Sequence, residues 1–152
     1  MAKIFKPFEH KRVIDCNQLL TERGDRVTHG DLVIIRCEAA DFPANFADLK
    51  GPPEGVLAEG EHTAHAHQLF YDDEPMKPAF VPRVIEGGKA TSAAKFTLKA
   101  ISPSEMYLEV TGDSMLLKHQ EHVPFRIPVG KYQVGIQLEY DPFEQMRRAV
   151  LD

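Results

Sequence analysis

The chain has 152 residues and a formal net charge of −5, with 43% hydrophobic and 27% charged residues, which suits one globular domain and is short for two. It shows no clustered basic face of the kind that grips nucleic acid, and no apolar run near the roughly 20 residues that span a bilayer. The opening Met-Ala-Lys-Ile-Phe-Lys-Pro-Phe lacks a signal-peptide hydrophobic region, and two cysteines, Cys16 and Cys37, are too few for a disulfide framework, so a cytoplasmic location is expected.

Residues 1–26 read as an N-terminal extension to a single β-rich domain over 27–152. Val13 to Leu20 suits a short helix or an irregular arm, and His10 and His29 read as surface or capping residues. Gly30-Asp31 turns the chain into Leu32-Val33-Ile34-Ile35-Arg36-Cys37, a β-branched run apolar on both faces, as in a central strand. Phe42, Phe46 and Leu49 have the spacing of one or two helical turns, ended by Gly51-Pro52-Pro53. Gly55 to Glu59 forms a short strand, and Gln68 to Tyr71 continues the chain beyond a histidine-rich stretch. Phe80 to Ile85 suits an edge strand because Pro82 interrupts it.

Ala94 to Ala100 alternates, with Phe96, Leu98 and Ala100 on one face. Glu105 to Val110 and Ser114 to His119 flank Thr111-Gly112-Asp113, which predicts a hairpin. From Gly130 the alternation is clearest, with Tyr132, Val134, Ile136, Leu138 and Tyr140 on one face. Asp141-Pro142-Phe143-Glu144 has the cap, first-turn proline and third-position glutamate of a helix start, and Phe143, Met146 and Val150 give that helix an apolar stripe. The pattern predicts an all-β, mainly antiparallel fold: a compact β-barrel or sandwich with a short C-terminal helix.

The chemistry concentrates in Glu61-His62-Thr63-Ala64-His65-Ala66-His67 and His119-Gln120-Glu121-His122, which hold five of the seven histidines. Strand alternation puts His65 and His67 on one face and His62 on the other. His119 and His122 converge where the chain turns ahead of Pro124. The expectation is one divalent transition metal (zinc, iron, nickel or manganese) held by His65, His67, His119 and His122, or by three of them with Glu61 or Glu121. With no cysteine in either cluster, a thiolate zinc site is disfavoured. Glu121 and Glu61 are also the candidate general bases should the site be catalytic. A different class of reading is a structural or assembly subunit, whose histidines staple the fold or a subunit contact. Self-association or a protein partner is expected in either case, with no nucleic acid and no membrane.

The succession His29-Gly30-Asp31-Leu32-Val33-Ile34-Ile35, then Val56 to Glu61 leading into Thr63-Ala64-His65-Ala66-His67, is similar to a family of small uncharacterised bacterial and phage proteins. The likeness continues through His119-Gln120-Glu121-His122-Val123-Pro124, Ile127 to Tyr132 and Gln137 to Pro142, covering about residues 27–150. Ala64 stands where that pattern has glycine, and Gln120 where it has an acidic residue. The family implies no activity; a phage-encoded member would make a virion component an alternative location. A looser resemblance is to cupins, metal-binding β-barrels. His65 and His67 match their His-x-His pair, and Asp72 falls where a glutamate ligand is common. Gly60 is one position off, and a pair stands where one later histidine is expected. The cupin likeness is thus an analogy of architecture. Gly112-Asp113-Ser114-Met115 resembles the nucleophile segment of LexA-like and signal-peptidase-like proteases. The strand comparable to Gly30–Ile35 follows the serine in those families and precedes it here, which argues against that chemistry.

Overall fold

The computed structural model describes residues 12–59, 65–72, 78–81, 85–87, 89–90 and 93–136. In chain order the strands are β1 (Ile14–Asp15), β2 (Arg26–His29), β3 (Leu32–Cys37), β4 (Val56–Glu59), β5 (Ala66–Tyr71) and β6 (Ile85–Glu86). They continue as β7 (Lys89–Ala90), β8 (Lys95–Ser102), β9 (Glu105–Thr111), β10 (Met115–Lys118), β11 (Phe125–Ile127) and β12 (Gly130–Ile136). One sheet has the order β1-β11-β10-β5-β4 and the other β2-β3-β12-β9-β8, with β6 and β7 forming a separate ribbon. Neither sheet closes on itself, so the fold is all-β and sandwich-like rather than a barrel. Pairing among these strands is antiparallel apart from the parallel β1–β11 contact.

Alternation explains how the two sheets share one core. Leu69, Met115, Leu117 and Ile127 come from the first sheet. Leu32, Ile34, Leu98, Met106, Leu108, Tyr132 and Val134 come from the second, and all belong to a single buried cluster. Each such side chain contributes about 1.5–3 kcal/mol by leaving water. β12 is internal, between β3 and β9, with Tyr132 and Val134 buried and Ile136 half-buried against the core. The predicted alternation beyond it, Leu138 and Tyr140, and the predicted helix from Pro142 to Val150 lie outside the described residues. β3 is also internal, but it alternates: Leu32, Ile34 and Cys37 are buried while Val33, Ile35 and Arg36 are half-buried.

Three local expectations change. Thr111-Gly112-Asp113 does not join a hairpin, because β9 already has β8 on one edge and β12 on the other. The chain instead crosses to the other sheet, where β10 lies between β5 and β11. Gly112 makes the crossing with φ +78°, and a Cβ there would collide with the Ala93 carbonyl. Second, of the edge strand expected over Phe80 to Ile85, Phe80 and Val81 lie in a turn closed by the Val81 N–H on the Pro78 carbonyl at 3.0 Å, Ile85 begins β6, and residues 82–84 lie outside the described residues. Third, the segment after Val13 becomes β1 and a 3-10 turn over Cys16–Gln18, with Asp15 accepting from the Asn17 N–H at 2.9 Å. Cys16 and Leu20 from this segment are buried in the shared core.

Within the stretch expected to make helical turns, Phe46–Asp48 is a 3-10 turn, and another, Ala39–Asp41, precedes it, with the Phe42 and Phe46 rings 4.6 Å apart. Among the described residues no helix is long and apolar enough to cross a membrane.

Candidate metal centre

The inward faces of three strands change character at one end of the sandwich. Along β5 the inward residues run Tyr71, Leu69, His67, with His65 next in the same alternation. Along β10 they run Met115, Leu117, then His119 just past the strand, and along β2 they run Val27, His29. Aliphatic packing thus gives way to imidazole on strands from both sheets. His29, His67 and His119 are buried, and His65 and His122 are half-buried.

The two histidine clusters of the sequence come together here. Ring centroids lie 4.4 Å apart for His67–His119, 4.7 Å for His119–His122, 5.6 Å for His65–His119 and 6.1 Å for His67–His122. A fifth ring joins them: His29 is 5.0 Å from His67 and 5.7 Å from His122. The expectation that His29 is a surface or capping residue is therefore corrected. Alone in its stretch of sequence, it has no neighbouring histidine to mark it. Its position two residues beyond Val27, on the inward side of a short strand, is the signal that could have found it. Glu61, His62 and His10 lie outside the described residues.

The turn between β2 and β3 completes the end of the site. Gly30 has φ +64°, and Asp31 beside it places Oδ1 3.1 Å from His67 Nε2. On the other side of His67, Nδ1 lies 2.9 Å from His29 Nδ1, and His29 Nε2 lies 2.9 Å from the Val123 carbonyl. These contacts tie β2 of one sheet to β5 and the approach to β11 of the other. The Ala66 N–H donates to Gln120 Oε1 at 2.8 Å, fixing the His119–His122 turn against β5. Glu121 is exposed at the rim, with Oε1 3.5 Å from His65 Nδ1, and its N–H donates to His119 Nδ1 at 3.0 Å.

Burial above all pushes His67 down to about 2, with His29, His119 and His122 adding repulsion. Burial likewise lowers His119 to about 4, aided by His122 and His65 and opposed by Glu121 and Asp31. Both rings are neutral near pH 7, the form a metal requires of an imidazole ligand.

The ring spacings fit a metal. Two imidazoles on one ion, with nitrogens at about 2.0–2.1 Å, put their ring centroids about 5 Å apart. The nitrogens do not yet surround one point: among the described residues no three His, Cys, Asp or Glu side chains do so. His119 Nδ1 is spent on the Glu121 N–H and the Nδ1 atoms of His29 and His67 on each other. Capture of an ion by His119 Nδ1 would therefore cost the hydrogen bond from the Glu121 N–H. Asp72 is not a fourth ligand of the cupin kind. It accepts from Arg126 Nε at 2.6 Å, and five residues of strand, about 16 Å, separate it from His67.

The fold and this end of it define a two-sheet β-sandwich with a histidine-lined mouth. Residues 28–137 match the model of the family described as Domain of unknown function (DUF8820), and the chain belongs to that family. The matched region runs from β2 through β12 and contains Asp31 and all five clustered histidines. No curated protein and no solved structure matches the chain.

Proposed function

We propose that this protein is a small metal-binding β-domain that takes one divalent transition metal, zinc, iron, nickel or manganese, in the cluster of His65, His67, His119 and His122. The observation that carries this reading is the convergence of imidazoles from β5 and from the segment between β10 and β11 at ligand spacing. The neutrality of His67 and His119 supports it. A bound cation would supply Lewis acidity and a more acidic water. Glu121, exposed beside His65, is the candidate general base among the described residues. Two free, buried cysteines, Cys16 and Cys37, whose thiols burial pushes up to about 11, suit a reducing cytoplasmic setting.

Elemental analysis of untagged protein tests the reading. About one equivalent of a single metal is expected. His67→Ala should remove most of it, and His10→Ala should leave it in place. Metal-free protein that takes up none of the four ions would end the proposal.

A specific observation favours a second reading, a structural or assembly subunit, for instance of a phage particle or another complex. The His29–His67 contact already joins the two sheets without any ion. In that case the apo and metal-treated proteins would melt at the same temperature, and His29→Leu would lower it.

A further inference from the structure

The hydrogen bonds that run from the Val123 carbonyl through His29 to His67 point to one tautomer of each ring. The Val123 carbonyl only accepts, so His29 Nε2 must carry a proton. In a neutral His29 that leaves Nδ1 bare, so the proton between the two rings belongs to His67 Nδ1. A neutral His67 then has a bare Nε2, and that atom faces a carboxylate oxygen, Asp31 Oδ1, at 3.1 Å. In this arrangement the ring nitrogen and the carboxylate oxygen both present lone pairs to the same small space.

The separation of these two atoms suits a shared ion, because two ligands at about 2.1 Å and near a right angle on one ion are themselves about 3 Å apart. His29 and His67 are only 1% and 2% exposed, so the ring orientations are held by packing against His119 and His122. Asp31 also faces the open end: its side chain is 53% exposed, so the approach to the gap is from solvent. Gly30 leaves the room, since a Cβ there would press on His122 Nε2 and on His67 Cε1.

We propose that Asp31 is a ligand of the metal site, adjacent to His67 Nε2, and that His29 is the positioning residue that fixes His67 in the Nδ1–H form. This rests on the metal-binding reading above and names a carboxylate and an outer histidine for it. Such an outer partner sets both the ring orientation and the basicity of the ligating nitrogen, and its loss typically weakens metal binding about 10–100-fold.

The test uses untagged full-length protein, stripped with a chelator and titrated with Co(II). Wild type should bind one equivalent. Asp31→Asn should weaken binding by about 10-fold or more and shift the visible Co(II) bands, because a charged oxygen ligand is lost. His29→Leu should weaken it by a similar factor, and His29→Gln, which can still accept and donate, should recover part of the loss. In metal-free wild type, nitrogen NMR of the imidazoles should show His67 protonated at Nδ1 and bare at Nε2. Wild-type affinity and bands in both Asp31→Asn and His29→Leu would overturn the assignment and leave the metal site standing. A His67 protonated at Nε2 would also overturn it. No Co(II) uptake by wild type would overturn both readings. Should His29→Leu fail to fold, the half-exposed Asp31 and the NMR measurement still decide the matter.

Discussion

His122 occupies the place that a side chain on Gly30 would need. A Cβ built there lies 2.5 Å from His122 Nε2, and the backbone is in the left-handed region at φ +64°. The β2–β3 turn and the second histidine cluster are therefore fitted to each other, although His122 stands 92 positions after Gly30 in the sequence.

Gly30→Ala should cost roughly 1–3 kcal/mol, combining backbone strain with displacement of the His122 ring. Urea denaturation measures the loss. A variant as stable as wild type would mean that His122 has room to move aside.

On β12, Val134→Asp should unfold the protein, since a buried unpaired carboxylate costs several kcal/mol of a total near 5–15. Ile136→Asp, at the half-buried end of the same strand, should cost less. Circular dichroism of the two variants gives the comparison. Equal loss in both would contradict the burial gradient along β12.

Where one rule governed, the fold was legible. Tyr132 and Val134 turn inward because alternation of side chains is a property of any strand, and Leu32 to Cys37 reads as internal from its run of β-branched and aliphatic residues. The crossing after Thr111 was not legible. A Gly-Asp between two strands serves a hairpin or an arch equally well, and only the distant β8 and β12 decide by taking both edges of β9. The site divides in the same way. His65 and His67 announce themselves by spacing, as do His119 and His122. His29 and Asp31 reach the cluster through the turn between β2 and β3, and the alternation from Val27 shows only that His29 faces inward, not that it meets the other histidines.

Acid should destabilise the metal-free protein. His67 at about 2 and His119 at about 4 in the fold compare with an ordinary 6.5 for the unfolded chain. The unfolded chain takes up protons below 6.5 that the folded chain refuses. Stability is therefore complete above 6.5 and is lost as pH falls toward 4, with the His67 share still falling toward 2. Each ring costs up to about 1.4 kcal/mol per pH unit in that window. Urea midpoints of chelator-treated protein at about pH 7.5, 6 and 5 should descend in that order, and identical midpoints would refute the neutral-ring account.

Gln120→Leu should cost about 1–3 kcal/mol, because the fully buried Ala66 N–H loses its acceptor. It should also loosen the His119–His122 turn against β5. Amide hydrogen exchange at Ala66 reads the effect directly, and unchanged protection there would show that another group takes over the bond.

The arch that carries β9 into β10 sends consecutive strands to opposite sheets, and the other connections add to the interleaving. The first sheet draws on strands from Ile14 to Ile127, and the second on strands from Arg26 to Ile136. A nascent chain leaving the ribosome can finish neither sheet until β11 or β12 has emerged. Folding dominated by such distant pairings is slow and gains its stability late. Co-expressed halves divided after Tyr71 would each hold an incomplete share of both sheets, so any recovery of the native protein would proceed by association of the two pieces.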